Sequence, residues 1–237
     1  MARTSTGRGT IAWQRWLIVV LIAAAAAWME ATTVVYWRSV LGRLQPYQPN
    51  PLPNGAFAGT EALREAAWLV MVAAVGLLAG RSWRSRLGYA LVVFGTLQIL
   101  YYLSLSILIG WPRSPLDWDL LFLIPLPWWG PVVAPSLIAA LMVVGGTLVT
   151  RVGENGLEWW PGRVAVMLCG VGTLLALYAF MQDALRAFLQ GAPSTRDVLP
   201  TRFSWEMFVP AVCLMAAPVA DVGWRALRSG AAGNRRG

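Results

Sequence analysis

Apolar residues fall into long runs along this chain, separated by short polar breaks. A helix that crosses the hydrocarbon core of a bilayer needs about 20 mostly apolar residues. Six runs meet that length: Trp16–Trp37, Glu61–Gly80, Leu87–Gly110, Pro131–Thr150, Arg163–Met181 and Ser204–Gly223, with Glu61, Arg163 and Ser204 as polar end residues. The pattern predicts an all-α integral membrane protein. It is a six-helix transmembrane bundle over residues 16–223, with a basic N-terminal segment at 1–15 and a basic tail at 224–237.

Arg3, Arg8 and Arg15 precede a first run that contains Ala25-Ala26-Ala27, which resembles a secretory signal. The run continues through Val34, Val35, Tyr36 and Trp37, too far for a signal core, so an uncleaved first span is expected. Leu120–Trp129 reaches only about 15 Å as a helix and holds Pro125 and Pro127, so it does not cross. It lies within Gly110–Pro135, which has six Pro and four Trp in 26 residues and reads as an interfacial or re-entrant outer cap between helices 3 and 4.

Composition agrees. Hydrophobic residues make up 57%, charged residues 13%, and the mean hydropathy is +0.57. That excludes a disordered chain, a disulfide scaffold and an ordinary soluble enzyme. The chain has no His, which removes His-ligated haem, most zinc and copper sites and His-dependent catalytic groups. No Walker A loop, HExxH, GxSxG or dinucleotide fingerprint occurs, and no cofactor or metal is expected.

All 19 basic residues are Arg. With the N-terminus inside, the inner side receives 12 of them and the outer side 7, and Arg81, Arg84 and Arg86 form the densest group. Both termini are therefore expected on the cytoplasmic side of a bacterial-type inner membrane. The net charge of +8 reads as topology, not as a nucleic-acid footprint. The tail from Arg225 is expected to attract anionic lipid. The bilayer is the expected partner, with another membrane protein as a further one and no nucleic acid. Trp13, Trp16, Trp37, Trp83, Trp111, Trp128, Trp129, Trp159, Trp160 and Trp224 lie near span ends and read as headgroup anchors.

Gly76 and Gly80 form a GxxxG pair, and Gly145, Gly146, Gly170 and Gly172 offer further close contacts within the bundle. Pro210 and Pro218 are expected to kink the last span. Connections of 23 and 12 residues, with no shared motif, give no sign of inverted halves. Cys169 and Cys213 read as unpaired apolar core residues.

Glu30 is the candidate that stands out, because a carboxylate inside a span is expensive. Ala23, Ala26, Ala27, Thr33 and Trp37 share its stripe, which predicts that it faces the bundle. At about 1.5 Å per residue it lies about 21 Å from the inner end of its span, level with Tyr101 and, at about 22 Å, Tyr178; Tyr102 is adjacent. Glu61, Arg64 and Glu65 open the second span from outside, Asp183 and Arg186 extend the fifth, and Glu206 begins the sixth. Together these predict a polar cluster with an acidic mouth above Glu30. The alternative gives each acid a local job: helix-dipole stabilisation for Glu61 and Glu206, pairing of Glu65 with an Arg, and a neutral Glu30 bonded to a Tyr or Thr. In the cap, Arg113, Asp117 and Asp119 are expected to stay wet around the anchor Trp118, and Asp117-x-Asp119 is a weak metal signal.

Three functions remain open from the residues alone. The first is a non-enzymatic accessory, assembly or partner-binding component. The second is a small-solute or proton transporter using Glu30. The third is an enzyme acting on a lipid or polyprenyl substrate at the outer leaflet.

Overall fold

The computed structural model describes residues 5–40, 42, 46–47, 58–122, 126–154, 160–191 and 199–233. The elements are α1 (Ser5–Val40), α2 (Ala58–Ala79), α3 (Trp83–Ile109), β1 (Trp118–Phe122), β2 (Trp128–Pro131), α4 (Val133–Glu154), α5 (Arg163–Leu189), α6 (Trp205–Met215) and α7 (Ala217–Gly233). The protein is an all-α membrane bundle with a small sheet at one end. Five stretches are long and apolar enough to cross a membrane: Trp13–Val40, Trp83–Ile109, Val133–Arg151, Arg163–Leu189 and Trp205–Arg228.

The sixth expected span is α2, and its role follows from its neighbours. On α1, Val19 and Ala23 pack with Tyr89, Val92 and Val93 of α3, while Ala31 packs with Tyr102 and Leu105. The two helices therefore run parallel, and α2 brings the chain back between them. Val75 and Ala79 of α2 reach the Val19 cluster, and Trp68 reaches Glu30. Charges at Glu61, Arg64 and Glu65 leave only Ala66–Ala79 fully uncharged, about 21 Å of helix against about 30 Å of hydrocarbon.

Local signals set the boundaries of α3. Ser82 and Ser85 form a reciprocal capping box, and Gly110 ends the helix at φ 64°, a left-handed conformation that suits glycine. The last expected span is interrupted at Ala216, two residues before Pro218. Pro218 has no N–H to give the Leu214 carbonyl, and Pro210 likewise removes a donor inside α6. The interruption is confined to Ala216, which keeps helical backbone angles and bonds to Val212 and Ala220, so α6 and α7 continue one another through Trp205–Arg228.

Small residues bring the helices together. A Cβ at Gly95 would sit 2.5 Å from the Ala139 carbonyl oxygen and 2.8 Å from Val143 Cγ2 of α4; one at Gly88 would sit 2.9 Å from Thr150 Cγ2. Gly172 of α5 meets α6 in the same way, 2.5 Å from the Ala211 oxygen. Gly76 packs on Arg86 and Ala90, so the GxxxG pair serves contacts within the chain. Gly170 has nothing within 4 Å, contrary to its expected packing role. Cys169 and Cys213 are free thiols, and Cys213 is exposed on α6, not in the core. The Trp16 Nε1–H donates to Thr147 Oγ1 (3.1 Å), tying α1 to α4, and Gly162 N donates to Asp221 Oδ2 (2.7 Å), tying α5 to α7.

The Pro/Trp-rich cap is an antiparallel hairpin, a form its Pro content did not suggest. Trp118 pairs with Pro131, Asp119 with Gly130 and Leu120 with Trp129, with an irregularity before Phe122 pairs with Trp128. The prolines avoid the ladder interior: Pro127 precedes β2 and Pro131 ends it. Trp118 packs edge-on against Phe203, and Tyr47 contacts both Trp118 and Trp129. Gly130 admits Phe180, which a Cβ would meet at 2.6 Å. The hairpin thus rests on the ends of α4, α5 and α6.

Gly95→Ala is expected to force α3 and α4 apart and destabilise the protein by about 1–3 kcal/mol. Gly170→Ala, with open space around it, is expected to change stability by no more than about 1 kcal/mol, in the stabilising direction. Thermal unfolding of the two variants in one detergent checks the difference. Equal effects would remove close helix approach as its cause.

A buried polar network at the cap end

Strand alternation decides where the cap carboxylates go. Trp118 faces Phe203 on the α5–α6 side, and Asp119 turns the other way, toward the ends of α1 and α3. There Arg38, in the last turn of α1, donates from Nη2 to Asp119 Oδ1 at 3.1 Å. Asp119 is 2% exposed, so the expectation that it stays wet is overturned. Closure of the hairpin over the helix ends removes water from it.

The Arg38 guanidinium also lies over the Trp111 ring, 5.1 Å from its centroid. Trp111 is buried, as is Trp129, so neither is a headgroup anchor; each fills space beneath the cap. Tyr102 contacts Trp111 edge-on, and its phenol is buried beside Asp119. The Tyr102 hydroxyl and Arg38 Nη1 are buried without a hydrogen-bond partner of standard geometry. Burial holds the Asp119 carboxyl above its ordinary value of 3.8, with Arg38 opposing the shift.

One step further into the bundle, Glu30 forms an ion pair with Arg64 of α2 and accepts a hydrogen bond from Trp68 Nε1. The expected neutral Glu30 bonded to a Tyr or Thr is therefore replaced by a charged pair between helices. Two opposite charges at one depth neutralise each other, which makes both tolerable in apolar surroundings. Glu30 lies at the edge of the buried stripe Val19–Ala23–Ala27–Ala31, where α2 reaches it, and Thr33 is exposed. Glu65 is buried next to Arg64, and Tyr101 lies within electrostatic reach of both Arg38 and Arg64. Glu30 with Arg64, and Arg38 with Asp119 beside Tyr102, thus form two polar pairs across α1, α2, α3 and β1, with Tyr101 within electrostatic reach of both arginines.

The other candidates lie elsewhere. Asp117 accepts from Arg113 N (2.6 Å) and Ser114 N (3.1 Å), bracing the turn before β1. The two cap acids therefore have separate partners, and Asp117-x-Asp119 does not act as a pair. Among the described residues no group of three His, Cys, Asp or Glu side chains has metal-binding spacing. Tyr178, Asp183 and Arg186 are on α5, and Glu206 is on α6. Asp183 pairs with Arg186 at 3.8 Å, as its spacing suggests, and Glu206 with Arg202 at 3.8 Å. Arg38 and Trp68 are the partners that sequence reasoning missed; an Arg directly after Trp37 at the end of an apolar run was the available signal. Buried Gln182 was also missed. It donates to the Arg202 carbonyl and accepts from Ser204 Oγ, clamping the start of α6 to α5.

Removing one partner of a buried pair leaves an uncompensated charge, so Arg38→Gln is expected to cost about 3–5 kcal/mol. Asp119→Asn leaves the Arg38 guanidinium uncompensated in the same way and is expected to cost a comparable amount. The double variant R38M/D119L falls below R38Q alone. The pH dependence has a definite sign. The folded pKa of Asp119 is raised, so the native state binds its proton more readily than the unfolded chain, and this group's contribution to stability grows as pH falls toward 3.8. Comparing unfolding of wild type and D119N across that range checks the sign. A wild-type advantage that shrinks on acidification contradicts it.

Comparison with known proteins gives no match: no family model matches the chain, and neither does any curated protein or solved structure.

Proposed function

We propose that this multi-pass membrane protein is a non-enzymatic accessory or partner-binding component, held in a bacterial-type inner membrane with both termini on the cytoplasmic side. One observation carries the reading. Five of the candidate acids are engaged in local structural pairs: Glu30 with Arg64 and Trp68, Asp119 with Arg38, Asp117 with two backbone N–H groups, Asp183 with Arg186 and Glu206 with Arg202. Catalysis on a lipid headgroup calls for carboxylates that converge on one reacting atom. These are divided between the α1–α2–α3 side, the cap turn and the α5–α6 side.

The 12-to-7 division of Arg supports the orientation. The hairpin supports the partner role, since the turn before β1 is braced by Asp117 and carries exposed Arg113 and Leu116 at one end of the bundle. The competing reading is proton or small-solute movement through Glu30. It draws on the two ion pairs, Glu30–Arg64 and Arg38–Asp119, that lie on either side of Tyr101.

The test joins two measurements on full-length protein. Purified from native membranes in mild detergent, it is expected in a stoichiometric complex with another membrane protein. In proteoliposomes, wild type and Glu30→Gln are expected to give the same flux as protein-free vesicles, while Glu30→Gln unfolds at lower temperature than wild type. A solitary particle with wild-type flux that E30Q abolishes would replace this reading with transport.

A further inference from the structure

Hydroxyl groups inside the spans are mostly returned to their own helix. Thr32, Thr33, Ser104, Ser136 and Thr173 each donate to a carbonyl three or four residues back. The Gln182 amide bonds on both sides. Gln98 of α3 does neither: among the described residues its amide has no hydrogen bond. It lies about 22 Å from Trp83 and about 16 Å from Ile109, near the middle of its span. A polar group without a partner is costly at that depth.

One turn outward on the same face stands Tyr102, which is 5% exposed. Its hydroxyl lies beside Asp119 and Arg38 but makes no hydrogen bond of standard geometry, and Arg38 Nη1 is likewise unbonded. Phe94 and Leu91 continue the face inward at four- and seven-residue spacing, and both are half-buried like Gln98. Gly95, about 60° to one side, is pressed against α4, and Ala90, about 80° to the other, meets Gly76 of α2. The face is therefore a lane between α4 and α2. It is open to the bilayer at Phe94 and closed outward where Tyr102 packs with Trp111 and Val132 beneath the cap.

The chemistry of the lane narrows what fits it. Arg38 Nη1 can only donate, and the Gln98 amide and Tyr102 phenol can donate as well. The Arg38 charge is matched by Asp119, so an anion would go unmatched. The complement is a neutral acceptor on an apolar tail. Glycerolipids hold their ester carbonyls at the edge of the hydrocarbon, outward of Gln98. A prenyl quinone carries its carbonyls on a ring that travels within the hydrocarbon. Those oxygens lie on opposite sides of the ring, which suits donors one helical turn, about 6 Å, apart. We propose that this lane binds a prenyl quinone, with the tail along Leu91 and Phe94 and the ring between Gln98 and Tyr102. The proposal rests on the membrane-spanning reading and not on the accessory role.

The experiment uses full-length protein in detergent micelles, with decylubiquinone as probe and dioleoylglycerol as a neutral lipid bearing ester carbonyls. Saturating decylubiquinone is expected to raise the melting temperature by at least about 3 °C, and dioleoylglycerol not to. Gln98→Leu loses the shift. It also melts higher than wild type without ligand, because it removes an unbonded amide from apolar surroundings. Tyr178→Phe, which removes a phenol at the same height on α5, keeps the shift. Tyr102→Phe binds the probe about three- to tenfold more weakly. No shift in wild type overturns the proposal, as does an equal shift with dioleoylglycerol, a shift retained in Q98L, or equal loss in Y178F. A ligand-free Q98L that melts lower or does not fold also overturns it, since Gln98 would then have a structural partner in the chain. Unchanged affinity in Y102F rejects the outer end of the lane. Carbonate extraction of native membranes separates the levels: release of the chain strikes the membrane reading, whereas a retained chain without a quinone shift strikes only the lane.

Discussion

Arg38 and Asp119 meet where α1 ends and the hairpin begins, and Asp119 has almost no access to water. A charge in that position is tolerable only beside its opposite. The pair therefore ties the register of β1 to the last turn of α1, and neighbouring groups are arranged around it. Trp111 covers the guanidinium, Tyr102 lies beside the carboxylate, and Leu121 packs on both sides of the cap. Glu30 and Arg64 repeat the solution deeper in the bundle, joining α1 to a helix whose charged first turns would otherwise be costly in an apolar setting.

Away from these pairs the helices are held by proximity. Lipid tails are as apolar as Leu, so exclusion from water does little to drive helices together inside a bilayer, and backbone approach matters more. Gly88, Gly95 and Gly146 bring α3 and α4 into contact, and Gly172 does so for α5 and α6. Large apolar side chains such as Leu78, Met167 and Leu174 face outward, where a soluble protein would bury them. The cap obeys the opposite rule. Phe180, Phe203 and Phe208 with Trp118, Trp128 and Trp205 form a packed aromatic cluster that seats the hairpin.

Much of the site was legible as height. Rise per residue placed Glu30 level with Tyr101, and Arg64 now connects to both. The same arithmetic placed Tyr178 at that level, yet α5 packs on α6, α7 and β2, so equal depth did not bring it to Glu30. Spacing along a helix reports distance along the membrane normal and which face a residue occupies. It does not report which helix that face meets. Arg38 and Asp119 were missed as a pair for this reason: 81 residues separate them, and only closure of the hairpin brings them together.

The sequence by itself determined the helical architecture, the extent of the apolar runs, the break at Gly110 and the interruption near Pro218, and the concentration of arginine at one end. These follow from hydropathy, missing backbone donors and local capping, all of which act over a few residues. Tertiary structure decided that α2 returns the chain beside α1 and α3, that Asp117 and Asp119 part ways, and that Glu30 and Asp119 are matched by Arg64 and Arg38. Those outcomes depend on contacts between distant segments, where burial converts a polar residue that water would satisfy into one that only a particular partner can.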